Sequence, residues 1–290
     1  MRILIITHDK FQYLQQQKKM RWTRLPYHFS KLAHDVRYVT KKEWLLYPFI
    51  YISFRPEVVI SAGKIAGLIT ALHYKFNYLR LFTLFKKTLF VHDLTDHPHF
   101  YINERRIRFI VRNHDLITTP TQYNLEKYDC NELVPNGSDF IPLKAKIEYD
   151  ACYIGQVHDF YNTTQLEEDC KNAGINLKIV TGLPSEEVPK YVAASKICVY
   201  TISWDSSLKI TDYAAMAKPV VAVKPNLAEK IGYPAYYTEN LADGIKYLLK
   251  HPKLAEKFGK KNRQWFLRYS GTWHEQSIKY LNVLERYKYK

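Results

Sequence analysis

Three groups of residues have types and spacings suited to chemistry. The first is the stretch 207–223, SLKITDYAAMAKPVVAV. Leu208, Thr211, Asp212, Ala215 and Met216 recur at helical spacing, with Ser206 or Ser207 as a good N-cap. Lys209 and Asp212 then fall in the first turn, beside backbone N–H groups with no partner inside the helix. Such N–H groups and the helix dipole bind phosphate. A carboxylate one turn in can accept two hydrogen bonds from a ribose diol. Ala214, Ala215 and Ala217 let the helix lie close to a sheet, and Lys218-Pro219 ends it. An ordinary amphipathic helix ahead of a strand satisfies the same spacing.

The second group is His92-Asp93, directly at the end of an apolar run. A helix-capping aspartate beside a hydrogen-bonded histidine is the alternative to a reacting pair. Asp96, His97 and His99 follow, but their spacing matches no tidy metal-ligand set, so no metal is expected. The third group lies after the first apolar run. His8, Asp9, Lys10, Lys18, Lys19, Arg21 and Arg24 alternate there with Phe11, Tyr13 and Trp22. Basic and aromatic residues together suit a polyanion with stackable groups, or a membrane interface. A later run, residues 74–90 (YKFNYLRLFTLFKKTLF), mixes Lys and Arg with aromatics and Leu. It fits a helix on an anionic membrane surface, and equally a plain core helix.

The elements around these groups alternate. Apolar runs at 2–7, 36–40, 57–61, 88–92 and 116–119 read as buried strands. Helical patterns at 22–33, 64–74 and 101–112 separate them. The pattern then starts again, with strands at 150–154, 177–181, 197–201 and 219–223 and helices at 164–173, 188–194, 209–216 and 240–249. Strands that are apolar throughout and alternate with helices predict parallel sheets covered on both faces. The fold class is therefore α/β, with two Rossmann-like doubly wound units. Pro135, Gly137 and Pro142 break the pattern between them, so the join is expected near 139–148. The tail from 252 to 289 reads as helical with a break at Ser270-Gly271. Two such units in one chain make a cleft, and ligands in such sheets bind at the carboxyl ends of strands. Residues just after a strand, His92 and Asp93 among them, are candidates for that cleft.

Composition narrows the class. Of the 290 residues, 47% are hydrophobic and 24% charged, as in a globular rather than a disordered chain. Net charge is +15. Residues 1–90 hold 16 Lys and Arg against 4 Asp and Glu, a net of +12. That asymmetry suggests an anionic partner for the first part of the chain: nucleic acid, an acidic membrane surface or a phosphate-bearing acceptor. A merely solvated basic surface is the alternative. Cys130, Cys152, Cys170 and Cys198 are spread out with no C-x-x-C pair, so reduced core thiols in a cytosolic protein are expected. Apolar runs such as 44–54 fall short of the ~20 residues a spanning helix needs. The start MRILIITHDK reads as a strand, not a signal peptide. The expected location is cytoplasmic, peripheral on the inner membrane face where the basic segments meet lipid.

Residues 207–221 resemble the donor-site signature of retaining GT-B glycosyltransferases, P-L-K-x-x-E-Y-x-A-x-G-K-P-V-V, with the family's glutamate on Asp212 and its glycine on Ala217. Val134-Pro135-Asn136-Gly137-Ser138-Asp139 resembles the turn that closes the family's first domain. Tyr153-Ile154-Gly155 resembles the first strand and glycine turn of its donor domain, and Leu177 to Gly182 the next strand and loop. Arg55 to Val59 resembles another strand start, and Gly271-Thr272-Trp273 the opening of a closing helix that crosses back to the first domain. Each motif is weak alone; six in order cover nearly the whole chain. The resemblance implies domains at 1–145 (acceptor) and 146–268 (donor), with the closing helix at 269–290. It implies transfer of a hexose-type sugar from a nucleotide diphosphate sugar, UDP- or GDP-linked, with retention and without metal or other cofactor. The expected acceptor is a lipid-linked or cell-envelope glycan; DNA carrying a hydroxylated base, or no catalysis at all, are the other readings. Asp212 would hold the ribose. Gly155, Gln156, His158, Gly182, Leu183, Ser207, Leu208 and Lys209 would surround the donor, with Lys209 on the phosphates. His92 and Asp93 would sit at the reacting sugar, and His8, Lys10, Lys18, Lys19 and Arg21 at the acceptor. The family usually carries an Arg and a Lys after the glycine turn, where this chain has Gln156-Val157-His158-Asp159-Phe160.

Overall fold

The structure is a computed structural model that describes residues 1–7, 21–76, 88–95, 104–155, 157, 162–203 and 208–289, the side chain of Phe76 excepted. It comprises two compact units, Met1–Pro135 with Trp273–Lys290, and Asn136–Thr272. The expected boundaries at 145/146 and 268/269 therefore differ from the observed ones. The reason is local. Asn136-Gly137-Ser138 is tied to the end of the second unit, where the Ser270 hydroxyl donates to the Asn136 carbonyl and the Ser138 N–H to the Gly271 carbonyl (3.1 Å).

The first unit is a six-stranded parallel sheet. In chain order it runs β1 (Arg2–Thr7), α1 (Arg21–Lys31), β2 (Asp35–Val39), a 3-10 turn (Lys41–Leu46), α2 (Tyr47–Phe54), β3 (Val58–Ala62), α3 (Lys64–Phe76), β4 (Leu89–Asp93), α4 (Glu104–Arg112), β5 (Leu116–Thr119), α5 (Gln122–Lys127) and β6 (Glu132–Leu133). The strand order is β2-β1-β3-β4-β5-β6. β1, β3, β4 and β5 are buried almost throughout, as strands covered on both faces must be. On one face Leu4, Ile6, Val59 and Phe90 pack with Tyr47, Ile50 and Tyr51 of α2 and Ala66 of α3. The C-terminal helix, Trp273–Lys288, returns to this unit. Its Tyr280 meets Trp22 edge-on at 6.1 Å and packs against Phe29 of α1.

The second unit is a five-stranded parallel sheet. It runs β7 (Tyr149–Ile154), α6 (Thr163–Asn172), β8 (Leu177–Val180), α7 (Val188–Ala193), β9 (Ser195–Tyr200), α8 (Leu208–Ala215), β10 (Val220–Val223), β11 (Tyr236–Thr238), α9 (Leu241–Lys250) and α10 (Pro252–Trp265), with a π turn at Phe266–Ser270. The strand order is β11-β10-β9-β7-β8. Apolar layers cover both faces, one built on Tyr200, Ile210 and Tyr213, the other on Tyr153, Val199 and Val221. Helix α8 closes on a left-handed residue, Ala217 (φ 56°). The N–H of Ala217 bonds the Ala214 carbonyl and that of Lys218 the Tyr213 carbonyl, each at 3.0 Å, which is a Schellman cap.

All four cysteines are free and buried. Cys152 and Cys198 face each other on paired strands, 3.6 Å between sulfurs. Among the described residues no helix is long and apolar enough to cross a membrane. The run 74–90 is described only at its ends, in α3 and from Thr88 into β4.

Candidate functional site

In the second unit the candidate site forms at the carboxyl edge of the sheet. β7 ends at Ile154, and Gly155 turns away with φ +139°. A side chain there would collide with Lys209, whose Cε lies 2.6 Å from where a Cβ would stand. Glycine is thus what lets the Lys209 side chain lie across the strand end. The Lys209 ammonium donates to the Tyr153 hydroxyl at 2.6 Å and sits 4.3 Å above that ring. Burial strips water from the amine and lowers its pKa to about 7. Tyr213, one helical turn on, accepts from the Ile154 N–H (2.8 Å) and donates to the Val199 carbonyl (3.3 Å), fixing helix and strand to each other.

Asp212 is 6% exposed, and its Oδ1 accepts the Ser138 hydroxyl at 2.7 Å. The turn after Pro135 therefore orients the carboxylate that the sequence placed one turn into α8. Gly182 (φ +67°) and the exposed Leu183 follow β8 at the same edge. Thr201, directly after β9, is buried, and its hydroxyl has no hydrogen-bond partner among the described residues. Leu208 opens α8. Gln156, His158 and Ser207 lie outside the described residues. Tyr153 and Ser138 stand in the sequence only as members of motifs, and neither they nor Thr201 are site residues read from it. A tyrosine inside a core strand two residues before a glycine turn was the one signal available for the first of them.

In the first unit His92 and Asp93 are both fully buried. Neighbouring strand residues point to opposite faces, which separates the two. His92 turns toward α3, where Gly67 leaves room for its ring: a Cβ on Gly67 would stand 2.6 Å from the imidazole Cε1. Its Nδ1 lies 2.9 Å from the Ser61 hydroxyl, and its Nε2 has no partner among the described residues. Burial, with His114 nearby, holds its pKa well below the ordinary value. His114 is held at about 4 by burial; its Nδ1 lies 2.8 Å from the Ile110 carbonyl and its Nε2 2.8 Å from the Thr70 hydroxyl. These are neutral, core imidazoles.

Asp93 points the other way, into a polar network. Arg21 Nε donates to Oδ2 at 2.8 Å and Nη2 to Oδ1 at 3.1 Å. The Thr118 hydroxyl reaches Oδ1 at 2.6 Å and lies 2.8 Å from the Tyr280 hydroxyl of the C-terminal helix. Arg21 Nη1 bonds the Pro135 carbonyl. Arg21, expected at the acceptor, is thus 5% exposed and committed to an internal ion pair. His8, Lys10, Lys18 and Lys19, like His97 and His99, lie outside the described residues. Among the described residues no three His, Cys, Asp or Glu side chains converge as metal ligands would.

No family model matches the chain, and no curated protein matches it in sequence. Solved structures do. The chain is similar to sucrose-phosphate synthase from Thermosynechococcus elongatus, with TM-score 0.70 and 11% identity over 99% of each chain. It is equally similar to Anabaena Alr3699/HepE in complex with UDP and glucose, with TM-score 0.70 and 11% identity over 99% of this chain and 100% of that one. T4 phage BGT in complex with its UDP-glucose substrate matches with TM-score 0.56 and 12% identity over 99% of each chain. Identities this low speak to the backbone alone. Together with the two parallel sheets and the returning C-terminal helix, they establish that this chain has the GT-B fold.

Proposed function

We propose that this chain is a glycosyltransferase that moves a hexose-type sugar from a nucleotide diphosphate sugar to a hydroxyl of a lipid-linked or cell-envelope glycan, with retention of anomeric configuration. The observation that carries this reading is the Lys209 amine laid over Gly155 at the end of β7, half-stripped of water and one helical turn from the buried Asp212. A cation held in a low-dielectric site interacts strongly with an incoming diphosphate. As the bond between sugar and diphosphate breaks, charge builds on the leaving phosphate, where Lys209 and the start of α8 would stabilise it. Asp212, oriented by Ser138, would accept from the ribose diol. Gly155, Gly182, Leu183 and Leu208 line the same edge, and Gln156, His158 and Ser207 would complete the donor's surroundings. UDP is the favoured nucleotide, because HepE and T4 BGT are both seen with UDP-linked or UDP-derived ligands.

His92 and Asp93, both buried, enter this proposal as supports of the first unit's interior rather than as reacting groups. The basic first 90 residues favour a second reading of the acceptor as DNA carrying a hydroxylated base. Titration calorimetry with UDP, GDP and ADP, each with and without an attached sugar, tests the donor. One nucleotide should bind, and Asp212→Ala should weaken it about tenfold or more by removing a charged hydrogen-bond acceptor. If none of the three binds and Asp212→Ala changes nothing, the chain is no donor-dependent enzyme.

A further inference from the structure

We propose that residues 41–54 of the first unit form a wedge that docks on an anionic lipid bilayer, with Leu45, Leu46 and Phe49 entering the boundary of the acyl chains and Lys41 and Lys42 meeting phosphate headgroups. Leu45 is 92% exposed, Phe49 72% and Leu46 54%. Single exposed apolar residues are ordinary. Here Lys42 and Leu45 stand three apart on the 3-10 turn, and Leu46 and Phe49 three apart where it runs on into α2, so the exposed apolar residues follow one another along a single short helical stretch beside a lysine. The opposite side anchors the wedge. Tyr47, Ile50 and Tyr51 are buried, the Tyr47 hydroxyl lies 2.5 Å from His73 Nδ1, and the Tyr51 hydroxyl donates to Thr88 Oγ1 at 3.0 Å. The exposed apolar face is therefore held out by packing rather than being a frayed end.

Charge selects the occupant. Lys41 and Lys42 stand in the first turn, where a helix dipole favours acids, so their positive charge gains nothing locally. The one acid of the stretch, Glu43, folds back to bond the Thr40 N–H and hydroxyl, each at 3.0 Å, and leaves the lysines uncancelled. Apolar side chains flanked by exposed lysines are the chemistry of an anionic membrane interface, where each basic residue adds attraction to acidic lipid. This surface deepens the lipid-linked reading of the acceptor but needs no donor to be tested.

The test is flotation of the full chain with neutral phosphatidylcholine vesicles and with vesicles containing a quarter phosphatidylglycerol, run without any nucleotide sugar. Brominated acyl chains serve as a depth probe for Trp44, with Trp44→Phe as control. The wild type should float with the anionic vesicles and show quenching that Trp44→Phe removes. L45E/F49E should lower the bound fraction tenfold or more with an unchanged unfolding midpoint, both positions being on the surface. K41Q/K42Q should weaken binding severalfold on anionic vesicles. Wild-type protein that fails to float, or L45E/F49E that floats as well as wild type, overturns the proposal. So does a concentration-dependent dimer that L45E/F49E abolishes without any flotation, which would give the face to a second copy of the chain. Failure here would leave nucleotide binding untouched, and nucleotide binding failing would leave flotation intact.

Discussion

Replacing Lys209 with arginine should remove the pH dependence of donor binding. Burial holds the free amine at a pKa of about 7. A diphosphate seated against it would favour the charged form and restore a value near the ordinary one. Binding must then take up protons wherever the free amine is neutral. The uptake should be about 0.1 proton at pH 6, about 0.5 at pH 7 and about 0.9 at pH 8. Affinity should fall about tenfold per pH unit above 7, so that the Kd rises roughly 90-fold, or about 2.7 kcal/mol, from pH 6 to pH 9. UDP-glucose is the proper probe because its diphosphate is esterified at both ends and does not titrate in this range. Calorimetric titrations in two buffers of different ionisation enthalpy count the protons directly. Arginine keeps its charge at all these pH values, so Lys209→Arg should bind with almost no uptake even where the larger head lowers affinity. A wild-type uptake near zero at pH 8, or the same uptake in Lys209→Arg, would refute a desolvated lysine beneath the diphosphate.

Three other consequences follow from the same geometry. His114 is held at about 4 in the folded chain against about 6.5 unfolded, so between those values only the unfolded chain takes the proton and stability is lost as pH falls. Denaturant titrations at pH 6.5 and pH 4.5 should show His114→Gln losing about 2 to 3 kcal/mol less than wild type over that interval; equal losses would mean the imidazole is not buried neutral. Ala217→Gly should raise stability by about 0.5 kcal/mol, the relief of a left-handed alanine less the extra freedom of the unfolded chain, read as an increased urea midpoint. Asp93→Ala should cost about 3 to 5 kcal/mol by leaving Arg21 buried and unpaired, whereas R21M/D93L should recover much of that loss. Transfer activity in the recovered double variant would confirm that Asp93 does no chemistry, and its absence in a stably folded protein would return Asp93 to the site.

The strands were legible because a strand covered on both faces reads as a near-continuous apolar run, as in the ILII of β1 and the VVI of β3. Observed bounds lie within a residue or two of the expected ones, as for Val58–Ala62 against 57–61. The elements that escaped are short or lack a period. β6 has two residues and β11 three. The stretch 44–54 is apolar nearly all round, so neither helical nor strand alternation marks it. The candidate donor site was legible where its parts are local. Gly155 needs a positive φ, and Lys209 and Asp212 share one helix start. Their partners Tyr153 and Ser138 were not, since they sit 56 and 74 residues away along the chain.

The first unit shows how a residue of a basic segment can belong to the interior. Arg21 belongs to a basic, aromatic segment and reads as part of a surface, yet Asp93, 72 residues on, draws it inward. A bidentate pair of this kind persists in the interior only if its remaining hydrogen-bonding atoms are satisfied. Pro135 supplies a carbonyl and Thr118 a hydroxyl, and Thr118 extends the chain of contacts to Tyr280. The network therefore joins α1, β4, β5 and the last helix at one point. It also explains the position of Asp93 without chemistry: a carboxylate at a strand end, on the face opposite His92, is what lets a helix from the far end of the chain dock by polar as well as apolar contacts. The same accounting sends the search for acceptor recognition away from buried charge. It points to exposed cations, such as Lys41 and Lys42 beside the exposed Leu45 and Phe49, on which the membrane proposal rests.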